Sequence, residues 1–412
     1  MSDSYVIAID FGTAYSGYAY NISTGEKESD PILKRWGAEQ RLDTPKTPTC
    51  ILFDQNGEFL KFGYEAKTAY IKMRGEEAKK HYFFGEFKMD LNKNLKIKAE
   101  NDKEMTALKV FSESLRFLND DALKTINANT AGTKFTPANF TWVLTVPAIW
   151  NESAKTFVRE AATQVSSDEK KLVIALEPEA ASVWCKKLPS DGFITQNHIS
   201  VSLDQTPGTQ YIIVDCGGGT IDITVHEVLE GGALKELHKA SGNDIAGQTV
   251  ERKFKEFLKE IFCDGVWDEY EENYPSEVQK IMYDFISVKH VDEDFEIQCT
   301  DNLGQIIEKK EDLETYFESG RGASWDEGTI IISREKLRSL YDESLQGIIE
   351  SLKEILKENW NIGYILIVGG FAESKILRQR INEQLSEEFK ILCPVRPQEV
   401  ILKGAVEVGK NP

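Results

Sequence analysis

The sequence predicts a two-lobed α/β protein made by internal duplication, and three observations predict it. First, an apolar run that ends in an acid and turns on glycine occurs twice. One copy is Tyr5-Val6-Ile7-Ala8-Ile9-Asp10-Phe11-Gly12-Thr13-Ala14-Tyr15-Ser16-Gly17; the other is Tyr211-Ile212-Ile213-Val214-Asp215-Cys216-Gly217-Gly218-Gly219-Thr220-Ile221-Asp222. Apolar runs and period-two alternation are strand signals, so each copy reads as strand, tight turn, strand. Second, the order of elements after each copy repeats. A strand at 142–146, a helix from about Glu152, a strand at 172–176 and Glu177-Pro178-Glu179-Ala180-Ala181 follow the first. A strand at 364–368, a helix from Ser374, a strand at 391–395 and Arg396-Pro397-Gln398-Glu399-Val400 with a closing apolar helix follow the second. Matching elements in the same order argue for duplication. Third, 412 residues with 41% hydrophobic content are enough for two lobes with cores of their own.

Lobe I is expected over residues 1–204, with its core at 1–53 and 135–204 and an insertion at 54–134. It opens as a β-meander with strands at 6–9, 17–21 and 50–53, the last after turns at Pro45 and Pro48. The insertion is charge-rich. Residues 65–80 read as one helix, and Leu108, Phe111, Leu115 and Leu118 recur at helical spacing across 104–127. Asn151 or Ser153 suits the cap of the helix after Pro147. The polar stretch 187–210 reads as the crossover between lobes. Lobe II is expected over 205–412, with its core at 205–263 and 329–412 and an acidic, aromatic insertion at 264–328. Its loop at 240–248 leads into a helix carrying Val250, Phe254, Phe257, Leu258 and Ile261. One long amphipathic helix is expected over 333–358, its apolar stripe being core.

The glycine turns carry the chemistry. Glycine lets backbone N–H groups close on an anion, phosphate being the usual one. Asp215 stands at the mouth of its turn, where a carboxylate suggests a bridging divalent cation such as Mg²⁺. Two lobes that each offer an acid and a glycine turn would hold a triphosphate and its metal in the cleft between them. A β-hairpin with a plain glycine turn is the alternative for either copy alone. Lys88 would neutralise a γ-phosphate if it reaches the cleft; otherwise it is a solvated surface lysine. Glu177 ends an apolar strand and points to the same cleft, or else complements a helix dipole. The Gly242–Gly247 loop is a second anion site or an ordinary helix start. No GxxxxGK[ST] occurs and no GxGxxG follows a strand, which excludes P-loop and Rossmann readings. The five histidines show no metal-ligand spacing, and no Ser/His/Asp or Cys/His set appears.

Net charge is −19 and no basic cluster stands out, which argues against nucleic acid. No apolar run approaches a membrane span, and Met1-Ser2-Asp3-Ser4 leads directly into a strand without signal-peptide features. The six cysteines lack CxxC spacing. A cytoplasmic protein with reduced thiols is expected, so the sequons at Asn21, Asn139 and Asn151 are read as chance.

Together these residues resemble the actin-like ATPase superfamily, a duplicated ribonuclease H-like fold shared by sugar kinases, actin and heat-shock chaperones. Within it, the chain is similar to the nucleotide-binding domain of the DnaK-type seventy-kilodalton heat-shock family. The matching stretches are Ile9-Asp10-Phe11-Gly12-Thr13, Val146-Pro147-Ala148 with Glu177-Pro178, Asp215-Cys216-Gly217-Gly218-Gly219-Thr220-Ile221-Asp222, and Ile367-Val368-Gly369-Gly370. Phe87-Lys88-Met89-Asp90-Leu91 and the second glycine turn look most like the divergent "member twelve" branch.

The resemblance implies ATP/ADP and Mg²⁺ as cofactors. Asp10 and Asp215 would hold Mg²⁺ through water. Amides at Gly12, Thr13, Ala14 and Tyr15, and at Gly217, Gly218 and Gly219, would line the phosphates. Thr220 would touch the γ-phosphate, Lys88 would neutralise it, and Glu177 would position water or metal. Gly247, Lys289, Gly369, Gly370, Phe371 and Glu373 would border the nucleoside, with Lys289 in place of a ribose-binding lysine. Phe371 and Glu373 stand where the chaperones carry a serine and an adenine-stacking arginine, which leaves base choice open. The chain ends just after this domain, so client peptides and co-chaperones are expected to act through residues or chains not present here. A slow ATPase that closes its lobes as a switch ranks first. A nucleotide-responsive interaction module with negligible turnover ranks second. A small-molecule kinase follows, and then an actin-like polymer.

Overall fold

The computed structural model describes residues 4–23, 29–88, 96–130, 132–165, 171–194, 202–243, 245–263, 265–308, 321–326 and 328–410. Met89, Asp90 and Leu91, residues 195–201 of the crossover, and 309–320 in the second insertion lie outside them.

The duplication is visible as two sheets with the same plan. In lobe I the order is Leu172–Leu176, Thr141–Val146, Ser4–Phe11, Tyr15–Ser23 and Ile32–Leu33. In lobe II it is Lys390–Leu392, Ile362–Val368, Gln210–Cys216, Ile221–Val228 and Leu234–Asn243. The first three strands are parallel in each sheet, and the hairpin partner is antiparallel in each. The hairpin strands of lobe II are apolar or Thr at ten of their fifteen positions because both faces are covered, and they are buried along most of their length.

Two helices join the lobes. Glu177–Cys185 follows the strand Leu172–Leu176 of the first sheet, and Val400–Lys410 follows the strand Lys390–Leu392 of the second. They cross where Gly404 meets the Ala180 carbonyl so closely that a Cβ would lie 1.7 Å from that oxygen. One turn on, a Cβ at Gly409 would lie 2.5 Å from Val6 and 2.6 Å from Val143. The last helix of lobe II therefore lies on the sheet of lobe I. The two residues that make this contact possible are glycines because no side chain fits.

Several elements differ from expectation for physical reasons. Cys50–Phe53 does not continue the opening meander. It pairs with Phe59–Phe62 and Tyr82–Gly85 in a separate three-stranded sheet, and only Thr47–Pro48 pairs back to the opening hairpin. The helix expected at 65–80 is two, Gly63–Lys72 and Glu76–Lys80, because Gly75 at φ 49° cannot continue a helix. Glu104–Thr106 is a strand, and the helix starts at Ala107 and runs to Asn129. The long helix at 333–358 is Arg334–Leu340 followed by Asp342–Leu356, with buried Tyr341 at the joint, where its hydroxyl donates to the Lys289 carbonyl at 2.6 Å. Gly242 belongs to a strand, not a loop; a Cβ there would sit 1.8 Å from the Ile221 carbonyl. The strand expected at 391–395 is shorter, Lys390–Leu392. Of the two cap candidates, Asn151 takes the role, its Oδ1 accepting from the Ala154 amide at 2.9 Å, and Ser374, expected as the first helical residue, instead caps Lys375–Leu385.

Candidate nucleotide and cation site

The two glycine turns meet face to face. A Cβ on Gly218 would lie 2.6 Å from the Ala14 Cβ, and one on Gly219 2.6 Å from Thr13 Oγ1. Only glycine backbone allows the second turn to come this close to the first, which leaves both sets of amides at one cavity of about 310 Å³. Asp10, Gly12, Thr13, Ala14, Tyr15, Lys88, Glu177, Asp215, Gly217, Gly218, Gly219, Thr220, Gly247, Lys289, Gly369, Gly370, Phe371 and Glu373 all line it. The geometry thus brings together the residues singled out from the sequence.

Hairpin register explains how the acids converge. Four turn residues between Cys216 and Ile221 pair those two across the hairpin, which sets Asp215 opposite Asp222. Glu177 arrives at the first turn of its helix, after the strand Leu172–Leu176. Glu177, Asp215 and Asp222 each place a carboxylate oxygen within 4.8 Å of the others, and all three are buried. Burial and then the Glu177 carboxylate push Asp215 well above the usual carboxylate range. The same two causes raise Asp222 to about 7. Burial raises Glu177 as well, against the pull of Lys88. Asp222 accepts the Ala148 amide on Oδ2 at 3.0 Å, while its Oδ1 and the Oδ1 of Asp215 have no hydrogen-bond partner. Crowded buried carboxyl groups with unpartnered oxygens fit a hard divalent cation, whose ligands are oxygens.

Asp10 is placed differently. Lys46 Nζ pairs with its Oδ2 at 2.5 Å, and Thr145 Oγ1 donates to its Oδ1 at 3.0 Å. Lys88 is not a surface lysine. It is 2% exposed, 3.2 Å from Glu177 Oε1, and 4.9 Å from the Trp150 ring centroid. Lys289 is buried and committed: it pairs with Glu251 and donates to the Gly247 carbonyl at 3.3 Å. Also on the cavity wall, Phe371 stacks on Tyr341 at 5.6 Å between centroids, and Glu373 accepts from Gln398 Nε2 at 2.5 Å. His290 stands there too, held neutral by burial at about 3, with Nδ1 unpartnered.

Sequence reasoning missed Lys46, Thr145, Glu251, Tyr283, His290 and Gln398. Asp222 was quoted in the motif without a role. Its placement was available from the turn length, since a four-residue turn fixes the pairing of the two acids.

A duplicated hairpin fold whose turns meet over buried acids and lysines defines the class: a two-lobed actin-like ATPase fold with a cleft between lobes. Residues 6–409 match the family described as Hsp70 protein, and the chain belongs to that family. It is 31% identical to heat shock 70 kDa protein 12A of Homo sapiens, over 99% of this chain and 69% of that protein. It is also 31% identical to heat shock 70 kDa protein 12B of Homo sapiens, over 100% of this chain and 69% of that protein. Chaperone protein dnaK of Cyanidium caldarium is more distant, at 22% identity over 88% of this chain and 55% of its own length. The likeness to the twelfth-member branch expected from the sequence agrees with this order.

Proposed function

We propose that the chain binds ATP with Mg²⁺ between its lobes, hydrolyses it slowly to ADP and phosphate, and uses the bound nucleotide to hold the lobes closed. The observation that supports this reading is the close approach of the two glycine turns, with Asp10, Lys88, Glu177, Asp215 and Thr220 around one cavity. Amides of Thr13, Ala14, Gly217, Gly218 and Gly219 cradle the β- and γ-phosphates. Thr220 contacts the γ-phosphate, and Lys88 balances its charge. Glu177 orients the attacking water, and its raised proton affinity suits it to hold a proton there. Asp10 and Asp215 would hold Mg²⁺, with Asp222 completing the carboxyl set, and Asp10 would do so while it stays paired with Lys46. The metal, when bound, neutralises charge on the phosphate oxygens. Closure follows because phosphate contacts from both turns are made only when the lobes are together. Client proteins or co-chaperones act through further residues or chains, and the working compartment is the cytoplasm; no described helix is long and apolar enough to cross a membrane.

Lys88→Ala tests the catalytic assignment. Nucleotide affinity should stay within about threefold, while single-turnover phosphate release should fall roughly 100-fold, as for loss of one preorganised charge. An unchanged release rate contradicts the role.

The second reading, a nucleotide-sensing module with negligible turnover, is favoured by the nucleoside end. Glu373 offers a carboxylate, and Lys289 is tied to Glu251. Tight binding without any phosphate release distinguishes it.

A further inference from the structure

Beside the nucleotide cavity the lobes enclose a second, larger chamber of about 710 Å³. The two share Ala14, Tyr15, Gly219, Thr220, Glu251 and Ile286 as a common wall. The insertions of both lobes meet over the cleft. Helices Gly63–Lys72 and Pro275–Val288 pack together, and Ser276 Oγ donates to the Met73 carbonyl at 2.8 Å. Phe83, Val278 and Met282 give the chamber an apolar wall. Chambers of several hundred Å³ with apolar walls and a few polar groups are how proteins take small molecules.

The charged groups on its wall are not equally occupied. Arg252 is held by Glu256 and Glu343, Lys255 pairs with Glu271, and Lys67 lies 5.2 Å from the Tyr283 ring centroid. Glu86 and Glu100 are exposed to the chamber; Gln279 hydrogen-bonds Glu100, and Lys255 and Lys67 act on it from further away, but among the described residues neither acid is at ion-pair distance from a cation. Glu86 is also held at φ 56°, a conformation that side-chain-bearing residues rarely adopt. Its carboxyl group contacts that of Glu251, which Lys289 already neutralises. Enclosure in the cleft and this second carboxyl group push Glu86 well above the usual carboxylate range. A further, independent vacancy is the Gln248 side chain. It lines the same chamber, and its Nε2 is buried without a hydrogen-bond partner.

We propose that this chamber binds a small organic amine, with the ammonium at Glu86 and Glu100 and an apolar body against Phe83, Val278 and Met282. The cation supplies the close ion pair that Glu86 and Glu100 lack, since the wall's own Arg252, Lys255 and Lys67 are engaged elsewhere, and a ligand acceptor meets the Gln248 amide. Because walls from both lobes would touch one ligand, its binding adds to closure, independently of whether the neighbouring cavity turns over ATP.

The test is calorimetric titration of the nucleotide-free chain with 2-phenylethylamine and with its neutral isostere 2-phenylethanol. The amine should bind at least about tenfold more tightly than the alcohol. Glu86→Gln and Glu100→Gln should each reduce that preference, Met282→Trp should crowd the apolar wall and weaken binding of both probes, and saturating ADP should not displace the amine. Equal affinity for the two probes, no binding of the amine, a preference that survives both acid substitutions, or competitive displacement by ADP would each overturn the proposal.

Discussion

The two glycine hairpins have the same frame and opposite electrostatics. In lobe I, Asp10 is neutralised within the protein, by Lys46 on one oxygen and Thr145 on the other. In lobe II, Asp215 faces Asp222 across the hairpin with Glu177 beside them, and two carboxylate oxygens remain unpartnered. Duplication copied the backbone path. On that shared path the chain carries a satisfied acid on one side of the cleft and an unsatisfied cluster on the other. Crowding buried carboxyl groups is costly, so on the proposed reading a cation bound at the second hairpin would relieve a cost that the first does not carry.

This contrast can be broken or sharpened in three ways. The largest effect is expected in lobe I. Lys46→Met leaves Asp10 buried without its cation and should lower unfolding free energy by about 3–5 kcal/mol in urea titrations. Adding Asp10→Asn should recover most of that loss; without such recovery, lobe I is not held by charge compensation.

The next effect belongs to lobe II and depends on pH. Asp222 is raised in the folded state to about 7 from an unfolded value of 3.8. Its contribution to stability is therefore complete below the unfolded value and is lost as pH rises through about 7. The protein in EDTA should lose roughly 1–3 kcal/mol between pH 5 and 8, and Mg²⁺ should restore it at the upper end. Thermal melts across that range, with and without the metal, check the sign. A metal-free protein that gains stability towards pH 8 would show that the cluster is already compensated.

The smallest effect concerns how closely the hairpins approach. Gly219→Ala puts a methyl 2.6 Å from Thr13 Oγ1 and should weaken nucleotide affinity roughly tenfold by holding the turns apart. Gly304→Ala, in the helix Asp301–Ile307 at a half-buried position with nothing within 4 Å of the new carbon, serves as the control and should leave affinity unchanged.

Much of this frame was legible in the sequence. Strand periodicity, glycine turns and the repeated order of elements are local signals, and both sheets follow them. The acids at the turns were legible for the same reason. Lys46 was not, because its partner lies 36 residues away and Thr44-Pro45-Lys46-Thr47-Pro48 reads only as a turn. Cys50–Phe53 has a strand pattern that fits either sheet; only pairing with Tyr82–Gly85 decides between them. The burial of Lys88 depends on Trp150 and Glu177, both distant in the chain. The break at Tyr341 was hidden because the apolar stripe continues through it, and its cause is a tertiary bond to Lys289.

The most direct measurement is calorimetric titration with ATP, with and without Mg²⁺, of the unsubstituted chain and of Asp215→Ala. The account predicts that Mg²⁺ tightens ATP binding to the unsubstituted chain at least about tenfold and does nothing for Asp215→Ala. Equal Mg²⁺ dependence in both proteins would contradict it, since the metal would then be held away from the lobe II hairpin.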